Sequence, residues 1–390
     1  MKNYLNHNEE DLIKQKAVIT ASEIENQPII WEKLADELEK NKQAITDFMS
    51  KVMAEKDLRI IFTGAGSSAF IGESMSLLLA GKYGLRSESI HTTEIVATPE
   101  ELLFDVPTLL VSYSRSGSSP ESCGAIETAQ KYISNLYNLI IVCNPDSALA
   151  KFNLPEEKTL FFNVPEEASD RGFAMTCSVS CMSLATWTIF GGNDFDLHVQ
   201  QIRKLAQVIP DEFRRIQPLA EKIAVWPYDR IVYLGFGALR GLAREGAVKS
   251  MELTDGAVAT LYDTPTGFRH GPKTILKDLT LTVLMASPKH LASEYDEDMI
   301  RELITQKKCY KVAVLSDRAL NHNIDDADYV YEYSLPSEVA GEEIAAYIYD
   351  LMFIQILSFE KSLAMGMTTD NPCPGGEVNR VVQGIILHDK

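Results

Sequence analysis

From residue 58 onward, short apolar runs alternate with amphipathic stretches of helical period. "LRIIFTGAG" is a buried strand running into glycines, and "FIGESMSLLLAGKYG" is a helix closed by Gly84. "TLLVSYS" is a second strand, followed by the helix "PESCGAIETAQKYIS", and "LIIVCN" is a third strand. Strand, loop and helix in this succession build a parallel sheet covered by helices. Ahead of it, residues 1–55 read as helices. In "SEIENQPIIWEKLADELEKNKQAITDFMSKVM", Ser22 is an N-cap with Glu25 three residues on, and Pro28 marks a helix start or bend.

The order then recurs. "DRIVYLGFGALRGLAREGAVKSMEL" repeats the strand–glycine–helix unit, "LTLTVLMAS" the second strand and "YKVAVLS" the third. Gly64 and Gly235, Ser114 and Ser287, and Asn144 and Ser316 lie 171, 173 and 172 residues apart. One spacing within two residues indicates a duplicated α/β domain. The helical connection through 195–225 crosses from one half to the other. The boundaries are an N-terminal helical segment at 1–50, a first domain at 51–215 and a second at 216–390. A closing helix, "EEIAAYIYDLMFIQILSFEKSLAMG", is apolar nearly all round, which calls for burial in the core or at a subunit interface. A Pro/Gly-rich tail, "TTDNPCPGGEVNR", follows it.

Composition narrows the function classes. The 390 residues are 45% hydrophobic and 24% charged, with a net charge of -18. Such a field repels polyanions, so neither nucleic acid nor an anionic membrane surface is expected as a partner. A small anion held by local donors remains compatible. No apolar run approaches the roughly 18 residues that span a bilayer, and the N-terminus "MKNYLNHNEEDLIKQ" is polar and acidic. Six cysteines are scattered without C-x-x-C or zinc spacing, so neither structural zinc nor another metal is expected, and a reducing, cytoplasmic setting is.

Two loops carry candidate chemistry. In "FTGAGSSAF", Gly64, Gly66 and Ala69 fit a relaxed dinucleotide fingerprint, with Glu88 or Glu94 near the distance of a ribose-binding acid. A tight strand-to-helix turn explains the same residues. The second loop separates these readings. Ser114, Arg115, Ser116, Gly117, Ser118 and Ser119 fall before a helix beginning near Pro120. Unpaired N–H groups, the positive end of the helix, serine hydroxyls and a glycine permitting close approach form a nest for a compact anion such as a phosphomonoester. A capped helix start needs one serine. The corresponding loop of the second half, "MASPKHLASEY", lacks the Ser-x-Ser-Gly core, which favours a ligand in the first half alone.

The second half holds another constellation. "EGAVKSMELTDG" puts Glu245, Lys249 and Glu252 on one helical face, where a solvated salt-bridged surface is the ordinary expectation. "PTGFRHGP" places His270 among glycines and prolines in a non-regular loop, suited to proton transfer near neutral pH.

Together these segments resemble the sugar isomerase (SIS) family, across nearly the whole chain. "SEIENQP" resembles the lead-in to its first domain, and "GSS" at 66–68 its first sugar-binding loop. "SRSGSS" at 114–119 resembles its S-x-S-G-[ED]-[ST] phosphate loop, and "RGFAMTCS" the segment that closes over the sugar. "EGAVKSME" and "RHGP" resemble the catalytic stretches of the second domain. The similarity is greatest to the tagatose-6-phosphate ketose/aldose isomerase group, which includes galactosamine-6-phosphate deaminases, and to the isomerase half of glucosamine-6-phosphate synthase. It implies an α/β fold of two tandem SIS domains, each a parallel sheet flanked by helices, with an N-terminal helical segment. It also implies that Gly66, Ser67, Ser68, Ser114, Arg115, Ser116, Ser119 and Thr176 bind the phosphosugar. Glu252 would move the proton between C1 and C2, and His270 would assist ring opening. Relatives share their sites across a dimer, so a homodimer is implied, with His270 acting in its own or the neighbouring subunit.

Two departures from the synthase matter. A glutaminase domain and its N-terminal cysteine nucleophile are not found. The tail has Arg380 nearest the position of the synthase's Schiff-base lysine, and an always-charged guanidinium cannot be that nucleophile. Acid–base isomerisation without a cofactor is therefore expected, as deamination of galactosamine-6-phosphate to tagatose-6-phosphate and ammonia. The alternatives are a non-catalytic phosphosugar-binding regulator, a fructosamine-6-phosphate-type deglycase and, on "GAGSSA", a dinucleotide-dependent dehydrogenase.

Overall fold

The computed structural model describes residues 2–306, 310–320, 324–380, 382 and 385–388; Cys309 lies outside them. The chain forms two compact units. One comprises Ile29–Asp170, Cys177–Arg203 and Gly375–Lys390, and the other Met1–Pro28, Arg171–Thr176 and Lys204–Pro374.

The first unit is built on five parallel strands: β1 (Arg59–Thr63), β2 (Ser87–Ser89), β3 (Thr108–Ser114), β4 (Leu136–Val142) and β5 (Thr159–Asn163), in the order β2-β1-β3-β4-β5. The second repeats it with β6 (Arg230–Leu234), β7 (Ala259–Asp263), β8 (Thr280–Met285), β9 (Lys311–Asp317) and β10 (Tyr329–Tyr333), in the order β7-β6-β8-β9-β10. Equal order, all-parallel pairing and equal spacing establish the duplication. In both sheets the order reverses beside the first strand, which in open α/β sheets is where ligands bind.

β3 and β4 are buried along their full length, the state that continuous apolar runs encode when helices cover both sheet faces. Leu110 and Ile140 pack with Ile126 and Ala129 of α3 (Pro120–Tyr132) in one core, as Leu284 and Val314 pack with Met299 and Leu303 of α7 (His290–Thr305) in the other. α2 (Ser67–Tyr83) lies close on the first sheet. A Cβ on its Gly72 would come within 2.9 Å of Phe62 Cβ and Ser89 Oγ. Gly84 closes α2 in the left-handed conformation, as expected. The closing helix α8 (Glu343–Ala364) is buried from Ile344 to Ser362.

The N-terminal expectation needs correction. α1 (Val18–Met53) begins four residues before Ser22, which sits inside it and donates to the Ile19 carbonyl at 2.8 Å. The start of α1 is capped by Asp370, whose carboxylate accepts from the amides of Ile19 and Thr20 at 3.1 and 2.8 Å. Glu25 is occupied with the Leu5 amide. Pro28 neither starts nor ends the helix. It cannot donate to the Ile24 carbonyl, and the side-chain amide of Gln27 does so instead at 3.2 Å. α1 and α5 (Phe195–Ala224) each contribute residues to both units. No helix of the described residues is long and apolar enough to cross a membrane.

A small hairpin, Asn3–Tyr4 with His7–Asn8, precedes α1. His7 Nε2 lies 2.8 Å from the buried Glu360 carboxylate and 3.8 Å from Glu221. The hydrogen bond to Glu360, followed by the two negative charges, raises the His7 pKa above 6.5 against the opposing effect of burial. A pKa raised on folding means that the protonated ring stabilises the fold. That contribution is complete below pH 6.5 and fades as pH rises through the elevated folded value. The stability difference between wild type and His7→Phe, measured by urea unfolding, is therefore expected to be larger at pH 6 than at pH 9. A difference independent of pH contradicts this latch.

Candidate active site

In the first unit, two loops leave the carboxyl ends of adjacent strands. After β1, Gly66 takes φ +56° and ψ −133° and delivers the chain into α2. Gly64 allows the close approach, because a Cβ there would stand 2.7 Å from the Ser68 backbone. Ser67 and Ser68 occupy the first turn of α2 and are buried. Gly66 has no side-chain cap, and the space beside it is open to 4 Å.

After β3, the serine loop is folded by its own hydroxyls. Gly117 N–H donates to Ser114 Oγ at 2.9 Å, and Ser118 N–H to Ser116 Oγ at 3.3 Å. Gly117 has φ +60°, and a Cβ would fall 2.5 Å from Ser147. The ordinary cap is also present. Ser119 is the N-cap of α3, and its hydroxyl accepts from Ser122 N–H at 3.3 Å. Pro120 follows at the first helical position, where its missing N–H costs nothing. One serine of the loop is thus a cap, and Ser114 and Ser116 shape the turn, which clusters hydroxyls at the positive end of α3.

Arg115, 7% exposed, is directed to the C-terminal tail: its Nη2 donates to the Arg380 carbonyl at 2.7 Å. Arg380 in turn donates through Nε to the Asp170 carbonyl at 3.0 Å. The buried Asp170 carboxylate accepts from the amides of Cys177 and Ser178 at 2.9 and 3.0 Å, capping α4 (Cys177–Ile189). Sequence reasoning did not find this chain of contacts, nor the pair of His91 and Glu73, 2.9 Å apart. His91 precedes Thr92, whose amide donates to Gly64 at 2.8 Å, so an imidazole–carboxylate pair flanks the glycine loop. The only signal was a histidine just past a short polar strand.

Of the two acids proposed for a ribose, one is otherwise engaged and the other is exposed. Glu88 accepts from Arg59 Nε at 2.6 Å, and Glu94 is in the exposed first turn of the Thr92–Ala97 helix.

The second unit holds the other candidates. On α6 (Ala238–Leu253), Lys249 is 1% exposed and stands between Glu245, 2% exposed at 3.6 Å, and Glu252, 30% exposed and in direct contact. The one-face spacing holds, but the face is buried rather than solvated. A buried ammonium needs such partners, since removing either leaves charge uncompensated. Thr176 is buried, and its carbonyl accepts from Gln355 Nε2 at 3.1 Å. His270 follows the short helix Pro265–Phe268, capped by Thr264. Phe268 is fully buried in the core, while His270 is exposed and Gly271 has φ +127°. The loop is pinned at Phe268 and presents the imidazole to solvent.

Two copies of one parallel sheet, flanked by helices, are the architecture of the tandem sugar isomerase (SIS) proteins. No family model matches the chain. It is 36% identical over 97% of its length to D-galactosamine-6-phosphate deaminase AgaS of Shewanella sp. (strain ANA-3), covering 94% of that protein. The crystal structure of tagatose-6-phosphate ketose/aldose isomerase from Escherichia coli superposes with a TM-score of 0.84 at 33% identity, over 95% of this chain and 96% of that one. A Clostridium novyi NT structure, provisionally named for the same isomerase, gives 0.94 at 38% identity over the whole of both chains. The chain belongs to the AgaS family of SIS proteins, alongside the tagatose-6-phosphate ketose/aldose isomerases.

The geometry makes the loop intolerant of a side chain at its apex. Gly117→Ala is expected to lose about 1–3 kcal/mol from backbone strain, with a further loss from the clash at Ser147. Adding Ser147→Gly should restore only the second part in chemical denaturation. Unchanged stability in Gly117→Ala contradicts the left-handed apex.

Proposed function

We propose that this protein isomerises and deaminates an amino sugar phosphate, converting galactosamine-6-phosphate and water to tagatose-6-phosphate and ammonia. The observation that carries the reading is the hydroxyl nest at the start of α3, present on one sheet and not its duplicate. Relatives named D-galactosamine-6-phosphate deaminase, matched over nearly the whole chain, point to the same substrate.

In this reading Ser114, Ser116, Ser119 and the amides of their loop hold the phosphate, with Arg115 the nearby fixed charge. Gly66, Ser67 and Ser68 hold the sugar chain, and Thr176 belongs to the segment that closes on it. With the ring opened, aided by His270, a base takes the proton from C2 and returns it to C1. The product is an imine at C2, which water hydrolyses to the ketone while nitrogen leaves as ammonia. Glu252 is the base: it is partly buried, in contact with the Lys249 ammonium, and held on the same helical face as the buried Glu245. General acid–base catalysis by a positioned carboxylate contributes roughly 100- to 10,000-fold. Of the two acids considered for a ribose, Glu88 is bound to Arg59, which disfavours the dinucleotide alternative at that residue.

We also assign a homodimer, supported by the exposed position of His270, and a cytoplasmic setting, supported by five described cysteines that are free thiols.

Incubation with galactosamine-6-phosphate should release ammonia in step with tagatose-6-phosphate, and faster than glucosamine-6-phosphate releases it. Glu252→Gln should lower turnover at least about 100-fold while phosphosugar affinity stays within about threefold. No ammonia from either sugar overturns the deaminase reading. Loss of binding together with turnover overturns the role of Glu252.

A further inference from the structure

The duplicated sheet retains the backbone of the glycine loop beside the serine loop. Gly237 opens α6 with φ +56° and ψ −128°, within a few degrees of Gly66, and α6 is a 16-residue helix with no side-chain cap of its own. The surroundings differ. A Cβ on Gly66 would meet no described atom within 4 Å, whereas one on Gly237 would lie 3.1 Å from Glu343 Oε1. Glu343, in the first turn of α8, accepts through that oxygen from Ala238 N–H at 3.4 Å. Its other oxygen lies 2.8 Å from Lys289 Nζ, and the Glu343 side chain is 10% exposed. Lys289 immediately precedes α7, on the loop corresponding to the serine loop of the first sheet.

Two further carboxylates take amides along the same strand ends. Asp296, fully buried, accepts from Ser287 N–H at 2.7 Å, and Ser287 is the counterpart of Ser114. Asp317, ending β9, accepts from Ala319 N–H at 3.1 Å. In the first sheet the corresponding loop amides face serine oxygens, which are neutral and can also donate to an anion. A phosphate dianion entering the second crevice would meet the Glu343 carboxylate, with the helix-start amide and the lysine already engaged; burial raises the Asp296 pKa to about 7, so its charge adds less.

We propose that Glu343 is an internal ligand filling the crevice of the second sheet, bridging the counterpart of the glycine loop at Ala238 and that of the serine loop at Lys289, so that each chain takes one phosphosugar. Removing its charge opens a second site for a compact dianion, held by Lys289 and the start of α6. The count of one rests on the assignment of the serine loop as the phosphate cradle; the plug itself does not.

The test is calorimetric titration with inorganic phosphate of the wild type, Glu343→Ala, Glu343→Gln and Glu343→Ala/Lys289→Ala, each checked for cooperative thermal unfolding. The expected stoichiometries are one phosphate per chain for wild type, two for Glu343→Ala and one for the double variant. Glu343→Gln keeps the shape without the charge, is also expected to bind two, and decides the matter if the alanine variant does not fold. Two phosphates on wild type, or no added site in the folded variants, overturns the plug. None on wild type but one on Glu343→Ala upholds the plug and removes the cradle assignment instead.

Discussion

Amides at the start of a helix, standing over the carboxyl ends of a parallel sheet, must be met by something negative or by oxygen acceptors. The rest of the molecule is arranged around that requirement. Each of the duplicated sheets gives it at two neighbouring helix starts, with the same strand order and, at Gly66 and Gly237, nearly the same glycine torsions. The two copies meet it differently. Around the serine loop the acceptors are hydroxyls, which can turn their protons to an incoming phosphate. In the second sheet they are carboxylates, which cannot. Under the proposed function, this divergence reconciles a net charge of -18 with an anionic substrate, because selectivity would come from which oxygens face the helix starts and not from the average field.

The first cradle is also held from outside the sheet. Arg115 is tied to the tail at Arg380, Arg380 to Asp170, and the Asp170 carboxylate to the first amides of α4. A guanidinium so placed supplies positive potential near the loop while its geometry is fixed by the tail. Arg380, which the resemblance sets nearest to the Schiff-base lysine of the synthase, thus has a structural occupation: it holds the Asp170 carbonyl and accepts from Arg115.

Much of this was legible in the sequence, and the failures share a physical cause. The six strands read from apolar runs, β1, β3, β4, β6, β8 and β9, are the interior strands, covered on both faces. The four unread strands, β2, β5, β7 and β10, are the sheet edges, where Ser87–Ser89 and Ala259–Asp263 mix polar and apolar residues and are only half-buried. Ser22 looked like a cap because local spacing cannot show Asp370 arriving from 350 residues away to take the Thr20 amide. Glu245, Lys249 and Glu252 were found by spacing, but their burial depends on helices packed from elsewhere. Glu343 was invisible for the same reason: its contact with Ala238 spans 105 residues and leaves no periodic trace. The serine loop was readable because its chemistry is contiguous, and its absence from the duplicate was readable by comparison within one chain.

The most direct measurement is a crystal structure with galactosamine-6-phosphate bound to a slowly reacting variant. The account predicts the phosphate against the Ser114–Ser119 loop ahead of α3, with Gly237 still faced by the Glu343 carboxylate. A phosphate seated at Gly237, or anywhere other than the serine loop, would contradict it.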